Sequence, residues 1–251
     1  MDSWFGIHTE AVFKAYSPSH IAVLAGFAGL IILLYLSRQW LRRGRRSRYG
    51  RYVLAAVLVL SEAALNLWYM ANDVYSPKDT LPLELCSISL YLCIFMLLFR
   101  SRIAFQIAYF AGIGGAIQAL LTPALYYGYP HFRFIEFFAA HIAIILAVLY
   151  MVWVEGFRPT WKSILLTMCF LNVLLVIVSL INFITGGNYM FLARKPDTAS
   201  LLDILGPYPW YLLSLEAVAL VLFLILYAPF AASPRNKGKH ADRRSVKDMG
   251  E

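Results

Sequence analysis

The stretch HIAVLAGFAGLIILLYLS, residues 20–37, contains no acidic residue, lysine or arginine, and RQWLRRGRRSRYGR, residues 38–51, follows it at once with seven arginines. About 20 apolar residues in a helix cross the roughly 30 Å hydrocarbon layer of a bilayer. Arginines beside such a run are retained on the cytoplasmic side. The two segments therefore read as a first membrane span that leaves its N-terminus outside and delivers a basic loop inside.

The alternation continues along the chain. Apolar runs at residues 52–72, 81–99, 103–125, 135–154, 163–185 and 208–230 predict six further spans. Arg100 and Arg102, Arg158 and Lys162, and six basic residues of the tail fall on the same side as the first arginines, 17 of the 22 lysines and arginines in all. Lys14, Lys78, Arg133, Arg194 and Lys195 fall on the other side. The predicted fold is all-α, a seven-helix transmembrane domain over residues 1–230 with its N-terminus outside. Residues 231–251 read as a basic, disordered cytoplasmic tail. The expected location is the plasma membrane, as a multi-pass protein. No basic n-region precedes the first apolar run, so an anchor is expected there, not a cleaved signal.

Bulk composition agrees. With 61% hydrophobic and 14% charged residues the chain is unlike a soluble domain. The net charge of +8 does not point to nucleic acid, because the basic residues flank apolar spans and suit the anionic headgroups of membrane lipids. Cys86, Cys93 and Cys169 all lie in apolar segments without metal-ligand spacing or a disulfide framework. No metal and no cofactor are expected, and no GxSxG, Walker A, HExxH or Rossmann pattern occurs. Small residues recur four apart, as in Ala22 with Gly26, Ala25 with Gly29, Ala111 with Gly115 and Gly112 with Ala116. In lipid such pairs let helices approach closely, which puts the fourth span at the centre. Between the last two spans, Pro196-Asp197 to Gly206 reads as a short helix capped by Asp197, with Arg194 and Lys195 at headgroup level.

Ionisable side chains within a bilayer are costly and mark candidate function. Counted from the predicted topology, Glu62 lies near the middle of the second span with Asn66 one turn further out. Glu84 and Cys86 open the third span. Gln118 and Thr122 lie in the outer half of the fourth, and Glu136 and His141 in the outer half of the fifth. Asn182 ends the sixth, and Glu216 is two turns into the seventh. All occupy the outer half or the midplane, which predicts one polar cavity opening outward. Cys86 with His141 is the sharpest pair, because a thiol needs deprotonation to act as a nucleophile and an imidazole can supply it.

Leu81-Pro82-Leu83-Glu84-Leu85-Cys86-Ser87, Glu136 to His141, Gly187-Asn188-Tyr189-Met190-Phe191-Leu192, Lys195-Pro196, Ser200 to Asp203 and Gly206-Pro207-Tyr208-Pro209-Trp210-Tyr211 resemble the YwaF-like bacterial integral membrane proteins. That family is distantly similar to vertebrate transmembrane protein 164, described as a cysteine-dependent phospholipid acyltransferase. His141 and Gly206 to Tyr211 carry the similarity. Aligned on Pro82, the relative has cysteine at the position of Leu83 and histidine at that of Glu84. The resemblance implies a lipid-modifying protein working by acyl transfer, with Cys86 as nucleophile, His141 as base, Asn182 or backbone N–H groups on the oxyanion, and Arg194 and Lys195 on a phosphate. The alternative from the residues is a non-enzymatic binder or carrier of a small polar or lipid-like solute, held by Glu62, Glu216 and His141. Membrane lipids are the expected partners in either case.

Overall fold

A computed structural model describes residues 4–195 and 205–232, and among them it has seven helices and no β-strand. They are α1 (Pro18–Leu41), α2 (Arg46–Ala71), α3 (Leu85–Phe99), α4 (Arg102–Leu121), α5 (Phe132–Trp153), α6 (Trp161–Thr185) and α7 (Trp210–Ala231). Six are long and apolar enough to cross a membrane. The exception, α3, has 15 residues, or roughly 22 Å at 1.5 Å per residue. Residues 81–84 precede it as irregular backbone.

Side-chain chemistry sets the boundaries. The run at 81–99 begins as helix only at Leu85, because Glu84 is extended (φ −67°, ψ 147°) and Leu83 N–H turns back to Leu81 O at 2.7 Å. The fourth helix stops at Leu121, not 125. Thr122 precedes Pro123, whose ring drives the preceding residue out of the helical region, and Thr122 adopts φ −132°, ψ 69°. The basic loop between the first two helices shrinks to residues 42–45, since arginine has good helix propensity and α2 extends back to Arg46. The predicted helix after Asp197 lies outside the described residues, apart from a short turn at Leu205, as does most of the tail.

Helices α4 and α5 form the buried centre, with α2 and α3 packed on them and α1, α6 and α7 around the rim. The apolar core gathers Leu58, Leu90, Cys93, Met96, Phe105, Phe110, Ile144, Val148 and Met151. The central place expected for the fourth span is thus found. A π-helical segment, Ala108–Gly112, interrupts α4. The glycines there and just after it admit neighbours on three sides. A Cβ on Gly112 would lie 3.4 Å from Ile144 of α5, one on Gly114 2.9 Å from Leu222 of α7, and one on Gly115 3.6 Å from Leu85 of α3. A Cβ on Gly26 or Gly29 of α1, by contrast, would meet nothing within 4 Å.

The two ends of the bundle differ. At the arginine-rich end, Glu155 accepts two cations, Arg51 at 3.2 Å and Arg100 at 2.8 Å, while Arg51 also donates to Leu97 O at 2.6 Å. This joins α2 and α3 to the chain just beyond α5. Close by, Tyr150 O–H donates to Ser47 O at 2.9 Å, and a Cβ on Gly50 would collide with that hydroxyl. Reading these arginines only as topology signals misses this role. At the loop-rich end, residues 4–16 lie as a strap over the α4–α5 connection. Phe13 N–H donates to Tyr126 O (2.8 Å), Gly128 N–H to Ala11 O (2.7 Å) and Phe132 N–H to Trp4 O (2.8 Å), and Val12 and Tyr127 form an antiparallel bridge. Trp68 Nε1–H donates to Phe5 O at 2.7 Å, and His131 Nε2 meets Gly6 O at 2.9 Å. His20, wholly buried, links the strap to α4 by accepting from Tyr16 N–H at 2.9 Å and meeting Leu120 O at 2.8 Å.

Candidate functional site between α3 and α5

Both α3 and α5 run from the loop-rich end to the arginine-rich end, so equal steps along each keep the same level. A contact fixes their register, because Cys93 Sγ of α3 lies 3.9 Å from Ile144 O of α5. One turn towards the loop-rich end lie Ser89 on α3 and His141 on α5. Gly112 of α4 closes this level, its Cβ position 3.6 Å from Ser89 Cβ and 3.4 Å from Ile144. A further turn along α3 is Cys86, half-buried, whose Sγ lies 3.9 Å from the Cβ position of Gly115.

His141 spans these two levels. Helical side chains lean towards the N-terminus of their own helix. The ring of His141 is held in that direction by Phe137 O, 2.6 Å from Nδ1, and rests against the Phe137 ring at 4.2 Å. A carbonyl can only accept, so Nδ1 carries the hydrogen, and in the neutral ring Nε2 then keeps its lone pair. The residue is 7% exposed, and Nε2 has no protein hydrogen-bond partner among the described residues. Cys86 and His141 make no direct hydrogen bond in this conformation.

A second polar group lies on α2 and α5. Glu62 accepts from Asn66 Nδ2 at 3.1 Å and from the Tyr91 hydroxyl at 2.8 Å. Glu136 is buried and paired with Arg133, whose guanidinium lies 5.7 Å from the Trp68 ring and 5.6 Å from the Tyr69 ring. Gln118 is exposed and pairs with Thr122 of its own helix at 2.7 Å. Glu216 is half-buried on α7 without a hydrogen bond or ion pair among the described residues.

The chain after α6 covers the start of α3. Asn182 is buried and commits both ends of its amide to Tyr189, accepting from its N–H at 2.8 Å and donating to its carbonyl at 3.0 Å. These two bonds make it a clamp for this loop. Glu84 likewise turns away from its own helix and accepts from Met190 N–H at 3.1 Å. No side chain caps the first amides of α3. Met190 and Phe191 adopt φ of +57° and +54°, unusual for residues with side chains, and the Tyr211 hydroxyl donates to Phe191 O. Asn188 Oδ1 accepts from Ala193 N–H and Arg194 N–H at 3.1 and 3.0 Å. Arg194 is exposed beyond this turn, and Lys195 Nζ lies 5.8 Å from the Tyr211 ring.

A model of the TMEM164 family matches residues 15–227, nearly the whole described chain. No curated protein and no solved structure matches it.

Proposed function

We propose, from the premise that this chain belongs to the TMEM164 family, that it transfers acyl chains between lipids, with Cys86 as nucleophile and His141 as base. The observation that carries this reading is His141 itself: a buried imidazole with Nδ1–H fixed on Phe137 O and an Nε2 without a protein partner, which carries a lone pair in the neutral ring. That is the form a general base needs. The register of α3 on α5 supports the pairing, since Ser89 and His141 each lie one turn from the Cys93–Ile144 contact and Cys86 one turn further. Catalytic contacts are commonly long without substrate and tighten when it binds.

In the first half-reaction His141 Nε2 takes the thiol proton and Sγ attacks the ester carbonyl carbon of a phospholipid. The carbon–oxygen bond breaks, the departing lipid oxygen takes the proton from His141, and a thioester remains on Cys86. With Asn182 committed to Tyr189, the uncapped first-turn amides of α3 are the donors suited to the oxyanion. Arg194 and Lys195 suit the lipid phosphate. The loop-rich end faces outward and the arginine-rich end faces the cytoplasm, as the basic residues require, so the reaction draws on the outer leaflet of the plasma membrane. Glu62, Asn66 and Glu84 line the approach, with Gln118 and Glu216 further round the bundle.

The test uses purified protein in vesicles containing phospholipid with a labelled acyl chain. The wild-type protein should acquire a hydroxylamine-sensitive label, which Cys86→Ala and His141→Ala should both abolish. Labelling that persists in Cys86→Ala would refute the reading.

A further inference from the structure

Four buried side-chain nitrogen or oxygen atoms among the described residues have no hydrogen-bond partner: Arg51 Nε, Glu155 Oε1, Ser89 Oγ and His141 Nε2. The first two face each other as an ion pair at 3.2 Å, so their charges are matched. Ser89 and His141 have no such pairing, and they occupy one level of neighbouring helices.

Ser89 is the more informative of the two. A serine or threonine hydroxyl inside a helix ordinarily returns to a carbonyl one turn back. Ser37, Thr167 and Thr185 do so here, at 2.6, 2.8 and 2.8 Å. Ser89 Oγ does not, although the residue is only 1% exposed. A buried hydroxyl withheld from its own backbone costs free energy unless something else engages it. The surroundings narrow what that can be. On α3 the neighbouring turns carry Cys86 and Cys93, α4 presents Gly112, and α5 presents Ile144, one turn along from His141. No charged side chain hydrogen-bonds to Ser89 among the described residues, so an ionic headgroup is a poor match. A neutral group that both donates and accepts is the complement of a hydroxyl beside an imidazole lone pair.

We infer that Ser89 Oγ and His141 Nε2 form a two-point site for one hydroxyl group, the group that receives the acyl chain. The bound hydroxyl donates its hydrogen to His141 Nε2 while its oxygen accepts from the Ser89 O–H. This rests on the acyl-transfer reading and supplies its second half-reaction. The hydroxyl proton passes to His141, its oxygen attacks the thioester carbonyl carbon, the carbon–sulfur bond breaks, and Cys86 Sγ takes the proton back from His141. A lipid alcohol at this site yields a new ester, and water yields a free fatty acid.

The experiment loads Cys86 with a labelled acyl chain, then follows its discharge in vesicles containing a lysophospholipid with one free hydroxyl. Ser89→Ala should load at the wild-type rate and discharge roughly tenfold more slowly, the effect of losing about one hydrogen bond. Ser89→Thr, which keeps the hydroxyl, should restore discharge. Label on the lysophospholipid identifies a lipid alcohol as the acceptor, and label in free fatty acid identifies water. Discharge at the wild-type rate in Ser89→Ala overturns the two-point site. Failure of the wild-type protein to load defeats the acyl-transfer reading instead. The ¹⁵N resonance of His141 Nε2 then decides the site without turnover. It should move towards its unbonded position in Ser89→Ala, and an unmoved resonance overturns the inference.

Discussion

Replacing Glu155 by alanine should be among the most damaging single changes in the bundle. The Glu155 side chain is 4% exposed and lies between Arg51, 9% exposed, and Arg100, 55% exposed. Removing the carboxylate leaves the Arg51 guanidinium buried with only the Leu97 carbonyl beside it, and breaking a buried ion pair in this way costs about 3–5 kcal/mol. Arg100 contributes far less. More than half exposed, it is screened by water, and Arg100→Ala should cost no more than about 1 kcal/mol. Removing both buried charges should recover most of the loss, because an apolar pair of similar volume avoids desolvation altogether. The measurement is the unfolding midpoint in mixed micelles of rising SDS content, followed by helical circular dichroism. The expected order is Glu155→Ala far below Arg100→Ala, with the double variant Arg51→Met, Glu155→Met close to wild type. An equal loss for Glu155→Ala and Arg100→Ala, or a double variant no better than Glu155→Ala, would refute the argument.

Asn182→Ala strips Tyr189 of two backbone hydrogen bonds, a local loss of about 1–3 kcal/mol. Trypsin should then cut faster after Arg194 while the global unfolding midpoint barely moves, and unchanged cleavage would reject the clamp. Gly50→Ala drives a methyl group into the Tyr150 hydroxyl and should lower the stability read from the SDS midpoint by about 1–3 kcal/mol, with Tyr150→Phe relieving part of it. Fusing a reporter active only in the cytoplasm to Glu251 should give signal, and activity of a periplasm-type reporter there would invert the proposed topology.

The membrane fold was legible because it rests on two strong, local quantities: apolar length and the position of arginine. The arginine runs that located each turn concealed their second use, since nothing in RQWLRRGRRSRYGR separates Arg51, which is buried on Glu155, from Arg43 or Arg45, which lie in the loop. The partner is about a hundred residues away and meets it only through the packing of α2 against α5. Helix ends failed where one residue outweighed the run, as Pro123 did for α4. Among the candidate residues, His141 could be found by its depth alone. Ser89 could not, because a serine in a span is ordinary until its hydroxyl is seen to decline the backbone. Asn182 was noticed for the right reason, an amide at the end of a span, but the sequence does not say whether such an amide serves a substrate or a neighbouring loop. Gln118 lies on the exposed face of its helix, a matter of rotation that a span count does not see.

The strap has a consequence for how the protein is made. Residues 4–16 leave the ribosome well before their partners at 126–132, with His131 and Gly6 separated by 125 positions. At about 5–20 residues per second, roughly 6–25 s pass before the second half of that contact exists. The opening segment must wait unfastened beside α1 while three more helices are inserted, and it is secured only when the start of α5 arrives. A segment synthesised before α1 is thus fully locked only after α4 is in place, because half of its fastening belongs to the chain that follows α4.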